Sequence, residues 1–283
     1  MSSMNIKAES AIEIAERRKG KFGSGVYSGR ARVVLERGYF ALKSSTWMVV
    51  ASGFVEPLIY LVAFGYGIGQ FIDGVFDGNG NPISYAQFIA PALLATSAMN
   101  GAIYDSTWNV FFKMHFGRIY NGMLSTSMGT LDVALGEISW ALLRGLAYAI
   151  GFMAIVTPLG LVPSWWGLLA IPASVLVAFG FAAVGMGITS YLKHRQQMQY
   201  IQLVMLPMFL FSGTFFPLSS MPIYLQPIGW VSPLWHATEL GREAAYDYGI
   251  SSLMVMVHFT VLALLLVVGL VLAARQFEKR LAK

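Results

Sequence analysis

The chain of 283 residues is 56% hydrophobic and only 12% charged, with a formal net charge of +5 and no cysteine. Soluble domains usually carry about 25% charged residues, so an ordinary water-soluble domain is excluded and an integral membrane protein is indicated. The absence of thiols also excludes a disulfide framework and any thiolate metal site.

Residues 1–26 are polar and basic, without the apolar core or small-residue cleavage site of a secretory signal. They are expected to form a flexible cytoplasmic tail ahead of a transmembrane domain spanning 27–283. Residues 27–43 suggest a helix lying on the membrane surface, although their apolar and charged positions do not separate cleanly at 100° per residue. A spanning helix needs about 20 mostly apolar residues, and six segments qualify: 47–69, 85–112, 137–158, 165–191, 200–217 and 251–274. The expected fold class is therefore all-α, with six transmembrane helices.

Lysine and arginine set the orientation, because they concentrate in cytoplasmic loops. Nine of the 19 precede residue 47: Lys7, Arg17, Arg18, Lys19, Lys21, Arg30, Arg32, Arg37 and Lys43. Further basic residues follow the second, fourth and sixth spans, and Arg144 lies inside the third. Only Arg242 falls on the other side, among Asp73, Asp77, Glu239, Glu243 and Asp247. Both termini are accordingly expected in the cytoplasm, with the protein in the inner cell membrane. The basic excess then reads as a topology signal rather than as a surface for nucleic acid.

Two connecting segments do not look like solvated loops. Residues 113–138 are mildly charged and rich in small and apolar residues. They suggest either a surface helix packed on the membrane face or a helix docking onto a soluble partner through Tyr120, Met123 and Leu124. Residues 218–249 contain Pro222, Pro227 and Pro233, which break a full span, yet no charged residue occurs between Arg195 and Glu239. Non-helical backbone at membrane depth persists only where protein covers it or it lines a cavity. Short half-helices dipping in from the outer surface satisfy that constraint, as does a loop in the head-group region.

Ionisable residues within spans mark function by default, and Glu56, Asp105, Arg144 and His258 are the candidates. At about 1.5 Å rise per residue, Asp105 and Arg144 both lie roughly 10 Å from the cytoplasmic boundary, and Glu56 is slightly deeper. Leaving one alone in hydrocarbon costs at least about 2.5–3.5 kcal/mol, so an Asp105–Arg144 or a Glu56–Arg144 pair is expected. His258 lies at a different depth and reads as a packing residue.

No phosphate loop of the form G-x-x-x-x-G-K-[ST] occurs, so ATP is not bound by that device. The four scattered histidines argue against a metal site. Ser212–Gly213 with His258 only loosely fits an intramembrane serine protease, since residue 210 is Leu. A secondary transporter would show internal repeats, and none is visible.

Three stretches together carry a family resemblance: "EPLIYLVAFGYGIG" (56–69), the run from "FIAPALLATSAMNG" to "GEISWALLRG" (88–145), and "LFSGTFFPLSSMP" with "SPLWHATELGR" (210–222 and 232–242). With them the chain resembles the permease subunit of type-2 ABC exporters, in the branch of nodulation lipo-oligosaccharide and daunorubicin exporters, from about residue 30 onward. The resemblance implies an N-terminal interface helix, a second permease subunit and two nucleotide-binding ATPase subunits in a lipid membrane. ATP and Mg would be used by those partners, with no cofactor held by this chain. It also implies a coupling helix over about 117–127, with Gly117, Arg118, Tyr120, Asn121, Met123 and Leu124 as contacts, and a second contact around His194 and Arg195. A re-entrant outer hairpin is implied between the last two spans, involving Phe216, Pro217, Met221, Pro222, Trp230 and Trp235. The expected cargo is an amphipathic glycolipid, lipo-oligosaccharide or hydrophobic drug. A secondary transporter or a non-transporting scaffold is the alternative.

Overall fold

The computed structural model describes residues 27–43, 47–72, 74–77, 79–117 and 119–281. The polar tail expected over 1–26 and the coupling residue Arg118 lie outside these described residues. In chain order the helices begin with α1 (Ala31–Lys43) and α2 (Trp47–Tyr60), which continues through a π-helical turn (Leu61–Gly67) and a 3-10 turn (Ile68–Phe71). A small ladder pairs β1 (Val75–Phe76) with β2 (Pro82–Ile83) in antiparallel register. There follow α3 (Tyr85–His115), α4 (Ile119–Leu124), α5 (Thr130–Val156) and α6 (Trp165–Thr189). The chain closes with α7 (Gln199–Phe211), α8 (Gln226–Val231), α9 (Pro233–Tyr246) and α10 (Ser252–Leu281).

Among the described residues, α3, α5, α6 and α10 are long and apolar enough to cross a membrane. In its most apolar window α3 is 89% buried, whereas α10 is 17% buried. Burial rather than apolarity separates them, since α10 is the more apolar of the two: α3 is the central post and α10 a peripheral one. Ser84 caps α3 and shares a reciprocal capping box with Gln87, which satisfies two otherwise orphaned backbone donors.

Small residues let the helices approach closely, as they do between membrane helices in general. At Gly145 on α5 an added Cβ would lie 2.7 Å from the Ala98 carbonyl oxygen on α3 and 3.2 Å from Ala178 Cβ on α6. The last two long helices follow the same rule, since a Cβ at Gly269 of α10 would meet Ala183 Cβ of α6 at 2.8 Å. Near the start of α5, α1 buries Val34 and Gly38 against that helix. The Asp132 carboxylate in the first turn of α5 accepts from the backbone N–H groups of Ser28 (2.7 Å), Arg30 (2.8 Å) and Gly129 (2.8 Å). This single side chain therefore anchors the segment leading into α1.

Several expected boundaries move. The helices expected as the second and third spans are longer than expected where they face each other, reaching His115 and starting at Thr130, and the sixth continues to Leu281. The fifth ends early. Its helix stops at Phe211 rather than near residue 217, because Ser212 leaves helical geometry and Gly213 adopts a φ of +68°. Its 13 residues cover roughly 20 Å at about 1.5 Å each, short of a hydrocarbon core of about 30 Å.

The triple contact at Gly145 predicts that Gly145→Val overpacks the α3–α5–α6 junction, at a cost of about 1–3 kcal/mol. Thermal unfolding of the detergent-solubilised protein should show a lower midpoint. Gly122→Ala, where an added Cβ meets nothing within 4 Å, should leave it unchanged.

Candidate functional site

From α5, Arg144 reaches across to α3, where its Nη1 donates to Asp105 Oδ1 at 2.7 Å. Both side chains are buried, and the Asn109 amide donates to the same carboxylate oxygen. The guanidinium also faces the rings of Tyr104 and Tyr148, at 5.9 and 5.8 Å. Of the two expected carboxylates, then, Asp105 takes the arginine and Glu56 does not. No described lysine, arginine or histidine lies within 4 Å of Glu56, which is exposed on α2.

Glu56 instead lines a half-enclosed cleft of about 220 Å³ between α2, α3 and α7. Tyr60 from α2, Asn100, Tyr104 and Trp108 from α3, and Gln202 from α7 share its wall. Residues four apart lie on one helix face, and both Glu56/Tyr60 and Asn100/Tyr104/Trp108 follow that spacing. Contact between the Tyr60 and Phe209 rings, 5.5 Å between centroids, bridges α2 to α7. The α3 side is built on a π-helical turn, Asp105–Asn109, and the α2 side precedes another, Leu61–Gly67.

At the C-terminal end of α3, Lys113 Nζ lies 2.6 Å from Glu137 Oε2 on α5. The short helix α4 follows directly. Its Tyr120 is fully buried, packing edge-on against Phe277 of α10 at 5.3 Å. Burial and the neighbouring Glu137 carboxylate push its phenol well above the ordinary value. The expectation of Tyr120 as an exposed docking anchor is thereby corrected: its ring belongs to the chain's own core. Gly117 and Asn121 are exposed, and Met123 and Leu124 are half-buried. His194 and Arg195 are exposed before α7, and the Arg195 guanidinium lies 5.9 Å from the Phe112 ring near the end of α3. The two expected cytoplasmic contacts thus converge on one end of α3.

At the opposite end, α8 and α9 form two short helices broken at Ser232–Pro233. Leu218, Met221 and Trp235 form a small buried cluster, while Phe216, Pro222 and Trp230 are exposed and Pro217 is half-buried. Arg242, taken from the sequence as a charge on the outer side, is fully buried. It donates to Glu239 Oε1 (2.8 Å), the Gly213 carbonyl (2.6 Å) and the Phe88 carbonyl (3.2 Å). Its guanidinium also lies 3.7 Å from the Phe88 ring centroid. The positive φ at Gly213 is what presents that carbonyl. The signal was in the sequence, since Arg242 is the one basic residue against the orientation rule.

His258 is buried and hydrogen-bonded within the fold. Its Nδ1 lies 2.7 Å from Nδ1 of His236, whose Nε2 is 3.0 Å from the Trp230 carbonyl. Since Nε2 of His236 must donate to that carbonyl, its Nδ1 accepts and His258 donates. The Ser212 hydroxyl bonds to the Met208 carbonyl and to Ser232, so no Ser–His pair of protease type is assembled.

Comparison with known proteins gives the family. The family model for ABC-2 type transporters matches residues 31–246. The chain is 30% identical over 252 residues to Nodulation protein J of Rhizobium leguminosarum bv. viciae, covering 88% of this chain and 94% of that one. Nodulation protein J of Sinorhizobium fredii (strain NBRC 101917 / NGR234) is 30% identical over 250 residues, with 88% and 92% covered. A probable multidrug ABC transporter permease, YbhR of Escherichia coli (strain K12), is 27% identical over 172 residues, with 58% and 45% covered.

Removing one member of a buried pair leaves an uncompensated charge, costing about 3–5 kcal/mol. Arg144→Met should therefore sharply lower the yield of folded protein and its thermal midpoint. Adding Asp105→Asn to that variant should recover a large part of the loss, and a double-mutant cycle on thermal midpoints checks the coupling.

Proposed function

Because this chain belongs to the ABC-2 type transporter family and is the permease component of an ABC transporter, we propose that it exports an amphipathic substrate in an ATP-driven complex. Two permease subunits and two ATPase subunits make up that complex, and the ATPases use ATP and Mg. The chain crosses the inner membrane six times with both termini cytoplasmic, α2 and α7 joining the four longer helices. The α8–α9 pair forms a re-entrant hairpin that closes the outer end. A glycolipid, a lipo-oligosaccharide or a hydrophobic drug fits as cargo.

One observation carries this proposal. The buried post α3 supplies one wall of the cleft through Asn100, Tyr104 and Trp108, and ends directly before α4. A displacement of α4 by an ATPase is therefore delivered to the cleft through a single helix. Among the relatives, one group is named for nodulation and one protein for multidrug transport, and the second name supports the drug reading of the cargo.

The double variant Asn121→Trp with Gly122→Trp alters only exposed positions of α4. It should leave the thermal midpoint of the isolated permease unchanged while reducing ATPase co-purification and ATP-dependent export more than tenfold. Unchanged export in this variant would remove α4 from the coupling role. Tyr120→Asp, by contrast, should prevent folding, because it places a charge against Phe277 and Glu137.

A further inference from the structure

The charge balance of the cleft carries a second step, which rests on reading it as part of the export path. We propose that the cleft recognises a positively charged amphiphile, whose ammonium head group pairs with Glu56 between the rings of Tyr60, Tyr104 and Trp108.

Three acids on the neighbouring helices are already neutralised. Asp105 is held by Arg144, Glu137 by Lys113 and Glu239 by Arg242. Glu56 has only the Tyr60 hydroxyl beside it, and no described cation lines the cleft with it, since Arg144, which faces the Tyr104 ring, is committed to Asp105. A carboxylate at membrane depth is expensive without a partner, and a cargo that brings the cation supplies one only while it is bound. The walls suit such a cargo. Aromatic faces attract ammonium groups through their negative quadrupole, and the attraction grows where water is excluded. Asn100 and Gln202 add amide oxygens able to accept N–H bonds from the same head group. Beyond the polar rim, α7 exposes Leu203, Val204, Leu206 and Leu210, a surface on which an alkyl tail can lie.

The backbone provides an independent observation. The π-helical turn of α2 starts immediately after Tyr60, and that of α3 starts immediately after Tyr104 and includes Trp108. Single π-helical turns concentrate at functional sites, where they re-aim side chains. Here two of them, on facing helices, adjoin the same aromatic residues.

The cysteine-free chain allows a direct test in the full complex with its ATPase subunits, in nanodiscs of zwitterionic lipid. Leu206→Cys places a thiol on the cleft wall, and Val267→Cys places a control thiol on the exposed face of α10. The rate at which a maleimide labels each thiol is followed against dodecylamine and against dodecanol, which share a chain and differ in charge. Dodecylamine should protect Leu206→Cys at a concentration at least tenfold lower than dodecanol, with no effect at Val267→Cys. Glu56→Gln should erase that difference, and Glu56→Asp should retain most of it. Equal protection by both amphiphiles would overturn the cationic preference while leaving the cleft as an export path. Protection by neither would remove the cleft from the path altogether. If Glu56→Gln fails to assemble, the amine–alcohol comparison on Leu206→Cys alone decides the question.

Discussion

A charge buried at membrane depth has to be neutralised inside the protein, and α3 is placed by three such neutralisations. Near its start, the Phe88 carbonyl and ring receive Arg242, which is paired with Glu239. In its lower half Asp105 receives Arg144, and at its C-terminal end Lys113 meets Glu137. Buried ion pairs contribute little net stability relative to a well-packed apolar alternative. Their effect is on register: sliding α3 by one turn, about 5.4 Å, would strand a charge at the Asp105 and Lys113 levels together and strip Arg242 of the Phe88 carbonyl. The helix that lines the cleft is therefore held in one axial position relative to α5 and α9.

Close packing then decides where the cleft can exist. Small residues bring α3, α5 and α6 together so tightly that a single Cβ at Gly145 collides with a backbone carbonyl. On the other flank α7 presents Tyr200, Leu203, Val204 and Leu206 to the outside and touches α2 chiefly through aromatic rings such as Tyr60 and Phe209. Bulky side chains keep helix axes apart. The cleft therefore opens where α7 stands off from α2 and α3, and not within the α3–α5–α6 core.

How far the sequence discloses this arrangement depends on the range of the interaction. Hydropathy marks the long helices, because crossing hydrocarbon is a property of one segment at a time. Helix ends are less legible: α7 stops at Phe211 because the Gly213 carbonyl is turned toward Arg242, 29 residues later, and no local propensity announces such a bond. The depth of Asp105 and Arg144 made their pairing foreseeable, whereas depth alone could not choose between Asp105 and Glu56. Tyr120 misleads for a related reason. An aromatic residue in a polar connecting segment resembles a docking anchor until the 30-residue α10 brings Phe277 against it. The His236–His258 contact was equally hidden, since it joins helices on either side of a loop whose path only the tertiary structure defines.

In the proposed coupling role, the burial of Tyr120 sets how α4 would respond to a push from a partner. A short helix that merely lay on the membrane face would slide when pushed. With its Tyr120 ring wedged between Phe277 of α10 and the Glu137 region of α5, α4 is instead hinged on the core. Force applied to its exposed residues, Asn121 and Gly122, is resisted at Tyr120 and passes into the adjoining end of α3. The Lys113–Glu137 bridge sits at that end, so the same displacement loads the α3–α5 contact that leads up to Arg144 and Asp105. The first irregular backbone met on this route is the π-helical turn at Asp105–Asn109, beside the cleft. A regular helix transmits axial displacement with little change of shape, and an extra residue in one turn is where α3 can yield. Trp108 lies within that turn, so any yielding there moves a cleft wall first.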